Sequence, residues 1–386
     1  MDKLVLSFND VPLILVIFQS LLFSVLLLTV NLGKRQANFF LAIFLLAIGL
    51  DAFDTLIYWS PSIKVAYLDG AVHIFYWLKF SVYLAAPMLF FYVKSMIDPD
   101  FKPRWRDAVH LLPLLAFPLF IVALYTGLTA EERVLGITQF GLLFNEPAFQ
   151  LHLWARHLLY VGYGIACFYL LFQYKNRLKQ HYSNIENIDM FWLQMLIGGF
   201  LMIWVWVFIA YLLTLINSSQ WLGNLIGISG NVFSFVFVNA LVLYSMAHAN
   251  IGYRQMLLQD EEKADVPEPE KYDPLIMTKL NQLMKDKELY LDPEFTLEQL
   301  AEISEISVRK ISAAINRDAG QNFFDFINSY RVQKAASILA SRNSKTSMLD
   351  VMADAGFNSK STFYRAFKKF MNMTPTDYVD QVNRKS

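Results

Sequence analysis

The chain reads ISVRKISAAINRDAGQNFFDFINSYRVQKAASIL at residues 306–339 and GFNSKSTFYRAFKKFMNMTPTDYV at residues 356–379. In each stretch a serine, Ser307 or Ser359, stands before apolar residues at helical spacing, where a helix N-cap is expected. Gly320 is a residue of the kind that ends a helix, and Gly356 suits a turn that needs a positive φ. The two stretches therefore predict two short helices of the same kind.

Each of these helices follows another segment with helical spacing, across a short turn. In the first case Thr296 is the expected N-cap of LEQLAEIS, and Ile306 would fill the turn. In the second case MLDVMADAGF leads into the turn, and Phe357 would fill the core. The pattern predicts two helix-turn-helix units, at about residues 296–320 and 347–371.

The segment between the two units predicts an amphipathic connecting helix at about residues 323–341. Its expected core stripe consists of Phe324, Ile327, Val332, Ala335, Ala336 and Leu339. Phe357, Phe363 and Phe367 are interpreted as further core residues and not as platforms on which bases stack.

The region before the first unit changes abruptly in composition. Residues 251–274 contain the acidic, proline-containing run QDEEKADVPEPEKYDP, which predicts a flexible linker. The next residues, LIMTKLNQLMKDKE, predict a short amphipathic helix that docks on the following domain. The apolar positions of this helix are Leu275, Leu280, Leu283 and Met284.

These stretches resemble the tandem helix-turn-helix domain of AraC/XylS-type transcription regulators, over about Thr296 to Val379. The order and spacing of the helices, the connecting helix and the closing Thr374-Pro375 pair all agree with that family. The resemblance implies sequence-specific binding of double-stranded DNA as a homodimer, with RNA polymerase as a candidate partner and with no cofactor. The apolar body before the tail makes the chain similar to the membrane-bound regulators of the family.

The resemblance also implies which exposed side chains contact DNA. The candidates for reading bases are Arg309, Ser312, Lys360, Ser361, Tyr364 and Arg365, and the candidates for contacting phosphates are Lys310, Arg317, Lys368 and Lys369. For Arg365, phosphate contact or plain solvation stays open beside base reading. Basic residues outnumber acidic ones between Arg309 and Lys369, which suits a polyanion, although an ordinary solvated surface would show the same excess.

The tail departs from the family pattern at three positions. Met352 stands where alanine is usual, and Asn372 replaces the glycine that usually ends the last recognition helix. Ala313 occupies a position that is often held by a polar residue in contact with a base. A strong base contact is therefore not expected at Ala313.

The N-terminal body is rich in apolar segments. Of the 386 residues, 55% are hydrophobic and 17% are charged, which is displaced toward the composition of membrane proteins. A membrane span needs about 20 mainly apolar residues. Seven such segments are predicted near residues 12–32, 38–59, 72–96, 109–127, 150–173, 192–216 and 222–247. No cleavable signal peptide is expected, and the single cysteine, Cys167, excludes an intrachain disulfide.

Basic residues concentrate in the loops that follow the first, third and fifth predicted spans. They are Lys34, Arg35, Lys94, Lys102, Arg104, Arg106, Lys175, Arg177 and Lys179. By the positive-inside rule these loops face the cytoplasm, which puts the N-terminus outside and the tail in the cytoplasm, beside chromosomal DNA. The predicted fold is all-α, with a polytopic helix bundle in the lipid bilayer of a bacterial inner membrane, followed by a cytoplasmic tandem helix-turn-helix domain.

Several polar side chains lie within the predicted spans, where they are costly and usually face the interior of the bundle. The candidate signal-sensing residues, all in the outer part of the bundle, are Asp51, Asp54, Lys79, Arg156 and His157. One interpretation is internal neutralisation, in which these charges pair and hold helices together. The other is a pocket open to the outside for an unidentified small-molecule or envelope signal. No metal site is predicted, since His152 and His157 do not share a helix face.

Three regions follow from these patterns: a membrane sensor bundle at residues 1–250, the linker at 251–274 and a DNA-binding domain at 275–386. Together they predict a membrane-embedded one-component transcription regulator. An enzyme is not predicted, since no phosphate-cradling glycine loop, nucleophile elbow or zincin motif is present. The alternatives are a transporter or enzyme with an autoregulatory DNA-binding tail, and an anchor that tethers DNA without sensing.

Overall fold

The structure of the protein is a computed structural model that describes most of the chain. It describes residues 10–30, 34–60, 77–98, 100–129, 147–185, 191–216, 225–241, 275–341 and 347–385, with single positions or pairs at 63, 131–132, 134–135, 222, 243 and 273. The predicted linker, apart from Asp273, lies outside the described residues. So do residues 223–224, 242 and 244–247 of the predicted span at 222–247 and residues 72–76 of the span at 72–96. The regular elements of the described ranges are all helical, which confirms the all-α prediction.

Apolar helices make up the described N-terminal part of the chain. They are α1 (Asp10–Thr29), α2 (Arg35–Trp59), α3 (Phe80–Ile97), α4 (Leu112–Thr126), α5 (Pro147–His181), α6 (Phe191–Leu215) and α7 (Leu225–Leu241). Short 3-10 turns precede α3 at Trp77–Lys79 and α4 at Trp105–Leu111. Over the described ranges, six helices are long and apolar enough to cross a membrane, and α7 is a shorter apolar helix.

These helices combine close internal packing with apolar outer surfaces. Where α1 crosses α2, a Cβ added to Gly49 would lie 3.0 Å from the Ser20 Cβ, so the glycine permits a close approach. Ser24 Oγ donates to the Ala42 carbonyl oxygen at 2.9 Å in the same contact. By contrast, Leu119 of α4 is 72% exposed and Met195 of α6 is 62% exposed. Exposed apolar surface of this kind is suited to lipid.

The chain divides into two compact units. The first consists of Met1–Leu171 and Met190–Glu262, and the second consists of Phe172–Asp189 and Lys263–Ser386. The boundary falls inside α5, a 35-residue helix about 52 Å long at 1.5 Å per residue. Since about 20 residues are enough to cross a bilayer, α5 is longer than one crossing requires.

The tail of the second unit contains seven helices among its described residues. They are α8 (Leu275–Lys287), α9 (Leu297–Ser304), α10 (Val308–Ala314), α11 (Phe323–Ala340), α12 (Met348–Asp354), α13 (Lys360–Met371) and α14 (Pro375–Lys385). We call α9 with α10 the first helix pair and α12 with α13 the second helix pair. The connecting helix α11 lies between them in the chain, as predicted.

The helix starts show which predicted caps are made by side chains. Thr296 begins α9 with a capping box, and Ser359 Oγ accepts the Thr362 N–H at 3.3 Å at the start of α13. Ser307 stands directly before α10, but its side chain makes no capping hydrogen bond, so the predicted side-chain cap is wrong. The Ser307 carbonyl accepts the Ile311 N–H at 3.1 Å, and α10 therefore begins from backbone hydrogen bonds alone.

Three residues with positive φ end helices or turn the chain where the sequence indicated. Gly320 follows the π-helical turn Ile315–Ala319 with φ of 61°, and Gly356 lies between α12 and α13 with φ of 81°. Asn372 ends α13 with φ of 57°. Asparagine tolerates this conformation better than most residues, which explains how it replaces the usual glycine.

Each helix pair has its own apolar core, and both cores include residues of α11. All six residues of the predicted stripe on α11 are buried, and so are Phe357, Phe363 and Phe367. The interpretation of these aromatic residues as core is therefore confirmed. Met352, which departs from the family pattern, is 8% exposed and packs in the core of the second pair.

The helix α8 docks on the first helix pair, but not through all the predicted residues. Ile276, Leu280 and Met284 are buried in the core of that pair. Leu275 is 71% exposed, so the prediction that it belongs to the apolar face is wrong. Because the buried residues are four apart, they form one row along the helix, and Leu275 lies beside that row.

Candidate nucleic-acid interface

The outer face of α10 presents the first set of predicted DNA contacts. Ile311 is fully buried and anchors the helix, which leaves Arg309 and Lys310 exposed and Ser312 partly exposed. Ser312 Oγ accepts a hydrogen bond from Asn316 Nδ2 at 3.3 Å. A short helix with two cations and a hydroxyl on its open face can meet both bases and phosphates.

The outer face of α13 presents the second and larger set. Its exposed residues are Lys360, Ser361, Arg365, Lys368 and Lys369. Tyr364 is partly buried, with its ring centroid 5.7 Å from Lys360 Nζ. Arg365 Nη2 donates to Thr362 Oγ1 at 3.3 Å, which holds the guanidinium along the helix. The predicted residues of α13 therefore lie on one open surface, while its other side carries the core phenylalanines.

Two of the predicted phosphate contacts form ion pairs. Arg317 Nε lies 2.9 Å from Asp318 Oδ1, and Lys369 Nζ lies 2.7 Å from Asp325 Oδ2 on α11. The Arg317 and Lys369 side chains are 47% and 54% exposed. Exposed pairs of this kind contribute at most about 1 kcal/mol, so either cation can exchange its carboxylate for a phosphate.

One basic residue of the tail, Arg331 of α11, is not on the surface at all. It is 1% exposed, and burial lowers its pKa to about 10. Its Nε donates to the Tyr290 carbonyl and its Nη2 to the Asp292 carbonyl, both at 2.7 Å. Its Nη1 donates to Asn328 Oδ1 at 3.3 Å. Arg331 therefore ties α11 to the turn before α9. It does not belong to the basic surface, although it is one of the basic residues that lie between Arg309 and Lys369 in the sequence.

The candidate signal-sensing residues lie in the first unit. Lys79 Nζ donates to Asp54 Oδ2 at 2.7 Å, and Asp54 is 4% exposed. Asp51 interacts electrostatically with Asp54, Lys79 and Arg156. The structure thus brings four of the five predicted residues together, and the Asp54–Lys79 contact is of the kind that internal neutralisation requires.

His157, the fifth candidate, has mainly aromatic neighbours. Its ring centroid lies 5.0 Å from that of Phe208 and 5.2 Å from that of Tyr211. Among the described residues, His157 Nε2 and Arg156 Nε are buried without a hydrogen-bond partner. Over the same residues no group of His, Cys, Asp or Glu side chains is placed to hold a metal ion. The unpartnered nitrogens keep the pocket interpretation open beside internal neutralisation.

Sequence similarity to known proteins is found in the tail. Residues 300–381 match a family model described as a helix-turn-helix domain. The uncharacterised HTH-type transcriptional regulator YdeC of Bacillus subtilis is 29% identical over 100 residues, which cover 26% of this chain and 34% of YdeC. The uncharacterised HTH-type transcriptional regulator SACOL0084 of Staphylococcus aureus is also 29% identical over 100 residues, which cover 26% of this chain and 13% of that protein.

These similarities cover about a third of one relative and about an eighth of the other. A solved structure of a protein with unknown function from Listeria innocua is 25% identical, covers 28% of this chain and 97% of that chain, and has a TM-score of 0.24. The family match identifies a helix-turn-helix domain at residues 300–381, and the relatives that share this region are described as transcriptional regulators.

Proposed function

We propose that this chain is a membrane-embedded one-component regulator that binds double-stranded DNA through a tandem helix-turn-helix tail. The observation that carries the proposal is the exposure of the predicted contact residues on α10 and α13, within a matched helix-turn-helix domain. In this proposal α10 and α13 are recognition helices, held by α11, that enter successive major grooves. Arg309 and Arg365 read bases, and Lys368 and Lys369 contact phosphates.

The membrane part of the proposal is supported by the six long apolar helices and their exposed apolar side chains. The basic residues after the first, third and fifth predicted spans favour an N-terminus outside and a tail in the cytoplasm. The location that fits both parts is the inner membrane of a bacterium, where a cytoplasmic tail reaches chromosomal DNA.

The regulatory part of the proposal concerns the signal and the partners. The signal acts in the bundle or from outside, and Asp51, Asp54, Lys79, Arg156 and His157 are its candidate receptors. Two copies bind DNA as a homodimer, because the proximity of two tails raises their effective concentration at paired half-sites. RNA polymerase is the partner through which a DNA-bound regulator would act on transcription.

The experiment is a selection of duplexes from a random library by the full-length protein in lipid nanodiscs. We expect one enriched motif, which a variant carrying Arg309→Ala and Arg365→Ala fails to enrich. Enrichment of no motif by the unmodified chain would refute sequence-specific binding. If vesicles that contain the chain without residues 275–386 transport a solute, that result would instead support the transporter alternative.

The orientation has its own test, with reporter enzymes fused to the full chain. A reporter that works only in the cytoplasm should be active after Ser386 and inactive in the loop near Arg133. Arg133 lies outside the described residues, so its position is a prediction from the sequence. An externally active fusion after Ser386 would overturn both the orientation and the function.

A further inference from the structure

The end of α5 and the loop that follows it pack on the first helix pair, within the second compact unit. Tyr182 and Thr296 form an isolated antiparallel bridge, and the Ser183 N–H donates to the Phe295 carbonyl at 3.2 Å. Ile185 is 2% exposed. We call residues 178–185 the docking segment, since they lie against the start of α9.

The docking segment supplies partners to the buried guanidinium of Arg331. Arg331 Nη1 donates to the Ser183 carbonyl at 3.2 Å, and Arg331 Nη2 donates to Ser183 Oγ at 3.1 Å. Asn328 Nδ2 donates to the same carbonyl at 3.3 Å. A guanidinium has five N–H donors, and leaving them unpaired in a buried place is costly. Ser183 therefore completes a site that the tail alone leaves partly unsatisfied.

The rest of the docking segment contacts α9 and α11. His181 Nδ1 lies 3.0 Å from Glu298 Oε1 on α9. Burial alone would raise the pKa of Glu298, but hydrogen bonds, first among them that of His181, hold it below the ordinary value. Lys179 Nζ is 5.9 Å from the Phe324 ring centroid on α11, and the positive charge of Arg365 on α13 repels Lys179. The segment thus adds a cation beside the second recognition helix.

We propose that the docking segment is a working part of the DNA-binding domain, which holds the first helix pair on α11 in the arrangement that binds DNA. This inference rests on the proposed DNA-binding function. Because α5 is one continuous helix from Pro147 to His181, a shift at the end of that apolar helix reaches Arg331 directly. Signal transfer then does not need the acidic linker at residues 251–274.

The exposure of the recognition residues decides between a supporting role and an inhibitory one. With the docking segment in place, Arg309, Lys360 and Arg365 are all exposed. An inhibitory segment would cover at least one of the two recognition helices. The docked arrangement is therefore the one that binds DNA, and release of the segment weakens binding.

A cross-link tests whether the docked arrangement binds DNA. The Ser183–Phe295 hydrogen bond flanks the Tyr182–Thr296 pair, an arrangement that places Cα atoms about 4.5 Å apart, within disulfide range. Full-length protein with Cys167→Ala, Tyr182→Cys and Thr296→Cys should form this disulfide in nanodiscs. A matched control with Cys167→Ala, Tyr182→Cys and Ser341→Cys should not. The oxidised chain should bind the selected duplex as tightly as the reduced chain, and weaker binding after oxidation would overturn the proposal.

A second variant releases the segment. Ser183→Pro removes the N–H that bonds to Phe295 and the hydroxyl that bonds to Arg331. We expect affinity for the selected duplex to fall about tenfold or more, with Asn176→Ala, an exposed residue of α5 outside the docking segment, unchanged. Unchanged or increased affinity of an inserted Ser183→Pro chain would overturn the inference while leaving the proposed function intact. If Ser183→Pro fails to insert, the comparison of oxidised and reduced chains decides. Absence of binding by the unmodified chain would instead refute the proposed function.

Discussion

The two helix pairs of the tail have the same arrangement of two helices joined by a turn, but different contacts stabilise them. The second pair is held largely by its own neighbourhood: α13 has a side-chain cap at Ser359, ends at Asn372 and packs on α11 and α14. The first pair depends on distant parts of the chain, since α10 lacks a side-chain cap and Arg331 bonds to Ser183. In the proposed function, both pairs read DNA and the first pair also responds to the docking segment.

Their chemistry differs in the same direction. The outer face of α13 offers four base-reading candidates, whereas α10 offers Arg309 and Ser312 and has an alanine at position 313. Most of the sequence discrimination is therefore expected from the second pair. In the proposal above, the first pair is the half of the interface that the docking segment holds in position.

The largest expected effect comes from Arg331→Met, which removes the guanidinium that supports the first pair. The carbonyls of Tyr290 and Asp292 lose the Arg331 donor, and the Ser183 carbonyl keeps only the donor from Asn328 Nδ2. We expect a cost of about 3–5 kcal/mol in the unfolding free energy of the tail. Amide hydrogen exchange of the full-length chain should show greater loss of protection in α9 and α10 than in α13.

The matched control for this variant is Lys334→Met on the same helix. Lys334 Nζ is 2.8 Å from Glu288 Oε1, in a pair whose side chains are 32% and 45% exposed. Replacing it should change stability by less than about 1 kcal/mol. Equal loss of protection in both helix pairs of Arg331→Met would contradict the contrast between them.

A second large effect is expected at the turn of the second pair. In Gly356→Ala the new Cβ would meet the Tyr290 carbonyl oxygen at 2.6 Å, at a φ of 81°. The conformation and the clash with backbone together should cost about 2–4 kcal/mol. Since the Tyr290 carbonyl also accepts from Arg331, this variant should loosen both pairs. The measurement is the temperature at which the full-length chain loses the selected duplex.

Gly320→Ala provides the comparison for that turn. Gly320 has φ of 61° with open space where a Cβ would be, so only the conformational cost of about 1–2 kcal/mol applies. If both alanine variants lose DNA at the same temperature, the contact between the Gly356 turn and Tyr290 has no role in stability.

Local features of the tail could be predicted from the sequence, because a few neighbouring residues decide them. The capping threonine at position 296, the positive φ at Gly356 and the core phenylalanines of α13 are of this kind. The α8 face was predicted one residue off at Leu275, since an apolar residue also stands at position 276 and only packing chooses between them.

The role of Arg331 could not be predicted in this way. Its contact with Ser183 joins residues 148 apart in the chain, and an arginine among other basic residues gives no local sign of burial. The docking segment could not be predicted for the same reason, since its one lysine, Lys179, indicates only a cytoplasmic loop. The sequence predicts one cluster in the outer part of the bundle, because the order of the spans places Asp51, Asp54, Lys79 and Arg156 at the same depth. The sequence leaves open which of these residues form ion pairs.

A smaller effect is expected from the base readers, and it separates the two pairs by specificity. Arg365→Ala should flatten base preference at one operator position, with a loss of about 1–3 kcal/mol in discrimination and little change in non-specific affinity. Arg309→Ala should flatten a different position, and fewer positions should depend on the first pair than on the second. Binding titrations over single-base operator variants measure both. Equal loss on every sequence for Arg365→Ala would make that residue a phosphate contact.

The smallest effect concerns Lys369, which ties the second pair to α11 through Asp325 at 2.7 Å. When the chain binds DNA, Lys369 must leave the Asp325 carboxylate for a phosphate or contact both groups at once. Lys369→Ala should therefore weaken all sequences about equally and lower the slope of log affinity against log salt by about 0.9. Asp325→Asn should act in the opposite sense, because it frees the cation without removing it. Titrations of the full-length chain at several salt concentrations test both variants. A change in base preference for Lys369→Ala, or weaker binding by Asp325→Asn, would contradict this expectation. Either result would show that the Lys369–Asp325 ion pair positions α13 for base reading and that Lys369 is not a phosphate contact.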